Sequence, residues 1–517
     1  MGFILRKFFK TVAIVTIFSA CEKFLGFLYR IYLSRSIGAE GMGLYQVALS
    51  VFGLIYTICC SGTPVTVSRL MTKYRAEGNE KDVKKIITAG LTFVIAVSIP
   101  VCCIFAFTSK YMTFLFTDER CIKIFTFILP GLIFTSIYSV LRGVFWGNKE
   151  FFPYSVIELL EEACMIICGI VLIEHATDVY QGAFRAGVAV TISYLFSFTL
   201  ATAYFLIKKN KLANPKGQFR PLLSSALPIT FMRTTGSITS SLVSVILPIR
   251  LVASGLTSAE AMSSIGAAMG QAFPLLYVPT TLIGSLSLVL VPEIAENYYK
   301  KRHDYLRRDV EKSVKFTILL TCLFIPTFTV FGEQIGILVF DGHLCGKYLS
   351  ASSFLMILIS LSSITTGILN SMGAENKTLI CNTVGSALMI ACVWFLPKLI
   401  GVYSLIVGFT LVHGISAVVN VILINKYCYE KPRYLKFLLL SVLFLLPTAF
   451  IGLLLKRMLL SRLGNLLTLF LCAIIMVTFN ILLYFGFNLL NVNLIKKTFS
   501  KKKKLSLRFS FLKLKKR

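Results

Sequence analysis

The chain has 517 residues, 56% hydrophobic and 15% charged, with a mean hydropathy of +0.79 and a net charge of +30 at pH 7. A soluble domain carries about 25% charged residues, and no polar connection here is long enough to fold alone. A soluble enzyme or binding module is therefore excluded, and the recurring apolar stretches are those of a polytopic membrane protein.

Fourteen apolar spans are expected, at 11–34, 44–63, 86–108, 123–145, 155–174, 185–207, 222–249, 266–290, 313–338, 350–371, 378–397, 402–424, 437–455 and 465–490. The start, Arg6, Lys7 and Lys10 followed by "TVAIVTIFSAC", has the outline of a signal peptide. Because the apolar run continues past Cys21, it is read as an uncleaved first span. An even number of spans puts both ends on one side. Counting basic residues within three positions of a span end with the adjoining connection, that side carries 39 Lys and Arg against 11 on the other, with Lys23, Arg30 and Arg233 deeper inside spans. By the positive-inside bias both termini are cytoplasmic, although Lys456, Arg457 and Arg462 of the last outer connection oppose it. The basic excess is thus topology, and no nucleic-acid partner is expected.

Residues 43–100 resemble 269–326, an offset of 226 that pairs Pro100 with Pro326 and Gly147 with Gly373. Two six-helix lobes around a central cavity are expected, 1–210 and 211–430, followed by two further helices over 431–495 and a basic tail at 496–517. Six is even, so the halves enter the membrane in the same orientation, an arrangement suited to alternating access. Pro228, Pro248, Pro274 and Pro279 favour bends in the seventh and eighth spans. The tail carries eleven basic residues among Leu and Phe, as in a segment lying on anionic lipid.

The fourteen cysteines form no CxxC or zinc spacing, and no metal or cofactor is expected. The unusual residues are buried charges. At about 1.5 Å per residue, Glu22 and Lys23 lie near the middle of the first span, too deep for easy snorkelling. Ser19, Lys23, Gly26 and Arg30 are spaced four, three and four apart, forming one polar stripe, with Glu22 beside it. Glu158, Glu161 and Glu162 stand at i, i+3 and i+4 in the fifth span, and Arg233 lies at mid-depth in the seventh. An unpaired charge at the bilayer centre costs at least ~2.5–3.5 kcal/mol, so these groups should face protein or water. They either lock the bundle or line a hydrated path for a charged substrate. Cations suit phosphate, while carboxylates suit a proton, a cation or sugar hydroxyls.

"FLGFLYRIYLSRSIGAEGMGLYQ", "SGTPVTVSRLMTKYRAEGN" and "LRGVFWGNKEFFPYSVIELLEE" together resemble the stage V sporulation protein B family. That family is a branch of the multidrug/oligosaccharidyl-lipid/polysaccharide exporter superfamily related to lipid II flippases. The resemblance implies a fourteen-helix, two-lobed flippase for undecaprenyl-pyrophosphate-linked sugars, serving spore cortex or cell-wall synthesis. Lys23, Arg30, Arg233 and Glu22 are the expected substrate contacts; in the resemblance Lys23 matches a cavity-lining cation of lipid II flippases and Arg30 the sporulation family's own "YR". The acidic content departs from a purely cationic cavity and makes Glu158, Glu161 and Glu162 candidates for coupling to H+, Na+ or the membrane potential. A monomer in the bacterial cell membrane, with cell-wall synthesis enzymes as candidate partners, completes the expectation. The alternatives are a cation-coupled multidrug exporter and an exporter of another lipid-linked polysaccharide unit. A membrane enzyme is disfavoured by short outer connections, and with no GxxxxGK[ST] loop ATP hydrolysis is not expected.

Overall fold

The computed structural model describes residues 2–108, 116–429, 432–487 and 489, and excludes the side chains of 2–14, 16, 232, 281–292, 461–463 and 465. The basic tail at 496–517 and the side chains of Arg6, Lys7 and Lys10 therefore lie outside it. The described chain is a succession of helices, α1 Gly2–Cys60 through α17 Leu435–Gly486. Among the described residues, nine helical segments are long and apolar enough to cross a membrane, or eleven when each of two bent pairs counts as one crossing. The protein is an all-α, multi-pass membrane protein. Large apolar side chains such as Phe107, Ile207, Phe450 and Ile474 are exposed along these helices, as a surface bathed in lipid requires.

Two connections expected to be loops are helical. α1 runs through the expected break at 35–43 and is interrupted only by Gly38, at φ 67° and ψ −176°. Gly464, at φ 71° and ψ 174°, does the same within α17. This backbone conformation is open to glycine and strained for other residues, so one residue redirects the chain where a loop was anticipated. The fourth expected span is also two pieces, α4 Glu119–Ile128 and α5 Gly131–Gly147, bent by 44° next to Pro130.

The internal repeat is visible in these bends. α12 His343–Ser352 and α13 Leu355–Ser371 form a second bent pair, at 56°, with the same 10- and 17-residue lengths as α4 and α5. Likewise α3 Glu80–Thr108 carries Pro100 where α11 His303–Phe340 carries Pro326.

The chain divides into two compact units. The first comprises 1–275, 339–348 and 379–415. It contains α2 Thr63–Ala76, α6 Phe151–Glu174, α7 Val179–Ile207 and α8 Phe219–Ala253. It also holds α9 Ser258–Ile265 and the wide-turned π segment Gly266–Ala272 that leads into α10 Phe273–Tyr299. The second unit comprises 276–338, 349–378 and 416–517. Its core draws on Val310, Val314, Ile318 and Cys322, one face of α11 at a four-residue spacing, packed with Ile364, Ile368, Phe444 and Tyr484. Buried amides tie its helices together: Asn420 Nδ2 donates to Thr366 Oγ1 at 2.9 Å and Asn297 Nδ2 to Asp309 Oδ2 at 2.8 Å.

Candidate functional site

Every residue expected in the substrate or coupling site lies in the first unit. On α1, Glu22, Gly26 and Tyr29 recur at i, i+4 and i+7 and face α6. The approach is close. A Cβ on Gly26 would stand 2.7 Å from Glu162 Oε1, and one on Gly169 of α6 would collide with the Tyr29 hydroxyl. Gly26 thus lets a carboxylate lie directly against the α1 backbone. Glu162 feels the opposite charge of Arg30 and the like charge of Glu22, while Glu22 feels Glu158, Lys23 and Arg142.

Arg142 of α5 is the hub of this cluster. Its Nη1 donates to Glu158 Oε1 at 3.3 Å and its Nη2 to the Tyr56 hydroxyl at 3.3 Å. Its guanidinium also lies over the Trp146 ring, 5.4 Å from the centroid. Glu161 points toward α7, within reach of the Ser197 hydroxyl. Four carboxylates, Glu22, Glu158, Glu161 and Glu162, therefore share a region with two arginines, Arg30 and Arg142. Arg142 Nε and the Tyr29 and Tyr138 hydroxyls are buried without a hydrogen-bond partner among the described residues. Such groups suit a hydrated interior.

The remaining cations take different positions. Arg30 is half-buried and its Nη1 donates to the carbonyl of Gly270 in the π segment, at 3.2 Å. Lys23 is exposed and has no hydrogen bond or ion pair with a described residue. Arg233 of α8 is exposed as well, yet its Nη1 donates to Ser61 O at 2.7 Å, at the junction between α1 and α2. The structure therefore joins Glu22, Arg30 and the three α6 glutamates in one cluster, leaves Lys23 accessible beside it, and fastens Arg233 to backbone at the junction between α1 and α2.

Around the Gly38 break in α1, backbones meet without side chains between them. A Cβ on Gly43 would overlap the Met262 carbonyl, and one on Gly266 would overlap the Ala39 carbonyl. Arg120 bridges Glu40 at 2.7 Å and Asp118 at 2.8 Å, and Ser258 donates to Asp118 at 2.8 Å. Burial works against the Asp118 carboxylate. Hydrogen bonds from Arg120 and Ser258 outweigh it and hold the carboxyl below its usual range.

The sequence profile described as polysaccharide biosynthesis protein matches residues 8–298, more than half of the chain. The chain belongs to this family. It is 27% identical to Stage V sporulation protein B of Bacillus subtilis over 64% of this chain and 66% of that protein, so the match spans just under two thirds of that relative. It is 22% identical to Lipid II flippase MurJ of the same organism, over 87% of this chain and 88% of the relative. Among solved structures, Lipid II flippase MurJ in an inward closed conformation matches with a TM-score of 0.69 and 16% identity, covering 92% of this chain and 99% of that one. A multidrug resistance MATE family transporter in an inward-facing conformation matches with a TM-score of 0.64 and 13% identity, covering 78% and 95%. These likenesses establish the fold.

Within this family member, Arg142 is the residue the sequence reading missed, having assigned it to an inner connection. It lies instead inside α5, half-buried and paired. The signal was present: positions 142 and 158 are equidistant from 150, the turn between α5 and α6. Residues so placed in an antiparallel helix pair stand at the same level.

Proposed function

We propose that the chain is a flippase that carries an undecaprenyl-pyrophosphate-linked peptidoglycan precursor, resembling lipid II, from the inner to the outer leaflet by alternating access. The observation that carries this reading is the pair of cations on α1, Lys23 accessible and Arg30 about two turns further along, in a polysaccharide biosynthesis family member similar over most of its length to a lipid II flippase. A pyrophosphate would be drawn to Lys23 and Arg30, with Arg233 a further attraction along α1. The polyprenyl tail would remain in lipid. Fourteen crossings, both termini in the cytoplasm, a monomeric unit and cell-wall synthesis enzymes as neighbours belong to the same proposal.

The carboxylates supply the coupling element. Four acids around two arginines leave room for a proton or Na+, whose exchange would bias the cycle. The membrane potential adds ~2.3 kcal/mol per charge per 100 mV. The chain would work as a transporter, without covalent chemistry. The same acidic cluster favours a second reading, a cation-coupled exporter of amphipathic cations, on the fold shared with MATE transporters.

The test is rescue of a strain depleted of its own lipid II flippase, read as outer-leaflet exposure of the lipid-linked disaccharide-peptide. Rescue supports the flippase. Failure despite correct insertion, accompanied by resistance to cationic drugs, would favour the exporter.

A further inference from the structure

The π segment Gly266–Ala272 sets Gln271 into the wall of a pocket at the Gly38 break in α1. π turns are rare and concentrate at functional sites, because the widened turn re-aims side chains and releases carbonyls. Gln271 is 1% exposed. Its Nε2 donates to Ser34 Oγ. Its Oε1 has no donor among the described residues, and a buried acceptor left without a donor is unfavourable. The oxygen lies beside Gly342, where a Cβ would stand 3.5 Å away. No side chain at 342 stands against this buried oxygen. The pocket has a volume of about 320 Å³ and is also lined by Arg35, Phe340, Asp341 and His343.

We infer that this pocket is a subsite for the hydroxyl groups of a neutral sugar. One guanidinium and one carboxylate balance, whereas a pyrophosphate site gathers cations. A sugar hydroxyl both donates and accepts. One hydroxyl can donate to Gln271 Oε1 and a second to Asp341, while either accepts from Arg35 or His343. The volume, at the lower end of small-ligand pockets, suits a mono- or disaccharide. This inference rests on the flippase reading and deepens it: in the proposed topology the pocket opens on the outer side, where the sugar part of the headgroup would be received.

The experiment uses the full chain in lipid nanodiscs and N,N′-diacetylchitobiose as probe, read by saturation-transfer NMR. Saturation transfer to the sugar in the wild type is expected, weakened about tenfold by Gln271→Leu, the loss of a single well-placed hydrogen bond. Gly342→Ala, whose Cβ would meet only ordinary contacts, should weaken it also without disturbing the fold. No transfer in the wild type, equal transfer in both variants, or displacement by inorganic pyrophosphate would each overturn the subsite. Displacement by the lipid-linked disaccharide supports its assignment to the transported headgroup, and lack of displacement overturns that assignment. Leaflet rescue separates the two readings. Rescue without sugar binding removes the subsite and leaves the flippase, and sugar binding without rescue does the reverse.

Discussion

Replacing Arg142 by methionine keeps most of the side-chain volume and removes the charge at the centre of the cluster. At 3.3 Å, the Arg142–Glu158 attraction is about 5 kcal/mol at an effective dielectric of 20, before desolvation of either group. The two side chains are 22% and 19% exposed. Losing one partner should therefore cost near the lower end of the ~3–5 kcal/mol typical of broken buried pairs. For a unit of this size that corresponds to a fall in melting midpoint on the order of 6 °C. Tyr56 and Trp146 lose a donor and a cation at the same time. The stranded Glu158 carboxylate causes most of the damage, so Arg142→Met combined with Glu158→Gln should recover half of the loss or more. Thermal unfolding in nanodiscs of the wild type, Arg142→Met, Glu158→Gln and the double variant measures both numbers. A neutral Arg142→Met, or a double variant no better than the single one, would refute the hub.

The glycine contacts give a sharper structural contrast. Gly43→Ala and Gly266→Ala force a methyl group onto a backbone carbonyl and should destabilise by at least ~1–3 kcal/mol, whereas Gly53→Ala, with nothing within 4 Å, should melt like the wild type. Gly26→Ala meets only the end of a flexible side chain, Glu162 Oε1 at 2.7 Å. It should leave the melting midpoint near that of the wild type while reducing transport, as Glu162→Gln should, and leaflet exposure at matched abundance checks this. The Asp118 carboxyl is held below its ordinary value of 3.8. Its contribution is therefore complete above that pH and is lost as pH falls through the lower folded-state value. Asp118→Asn should accordingly lower the melting midpoint at pH 7 and narrow its difference from the wild type toward pH 3.

Much of the fold is legible in the sequence, because apolar runs of twenty residues admit few arrangements in lipid. The 226-residue offset between Pro100 and Pro326 reappears as α3 and α11, and the two bent helix pairs recur at nearly the same spacing. What escaped was local. Nothing in hydropathy distinguishes the Gly38 break, one residue with φ 67°, from an ordinary polar loop over 35–43. Hydropathy also conceals the π segment, since "GAAMGQA" differs from neighbouring helix only in how its backbone is wound. The three- and four-residue spacing of Lys23, Gly26 and Arg30 suggested one shared environment. In three dimensions Gly26 carries Glu162, Arg30 reaches Gly270, and Lys23 stays accessible. Partner choice of this kind depends on which helix approaches which face, and periodicity within one helix does not contain it. Arg142 was concealed for a related reason, standing one helical turn from the turn at its end.

The most direct measurement is transbilayer movement of a fluorescent lipid-linked disaccharide-pyrophosphate in proteoliposomes holding wild type, Lys23→Ala or Arg30→Ala, at equal protein content and with an imposed ion gradient. A cationic path along α1 predicts that the wild type exposes the probe to an external quencher and that each variant slows this by an order of magnitude or more, about the effect of losing one charge-assisted contact. Equal rates in all three proteins would contradict it, and Lys23 and Arg30 would then be parts of the helix bundle rather than of the route.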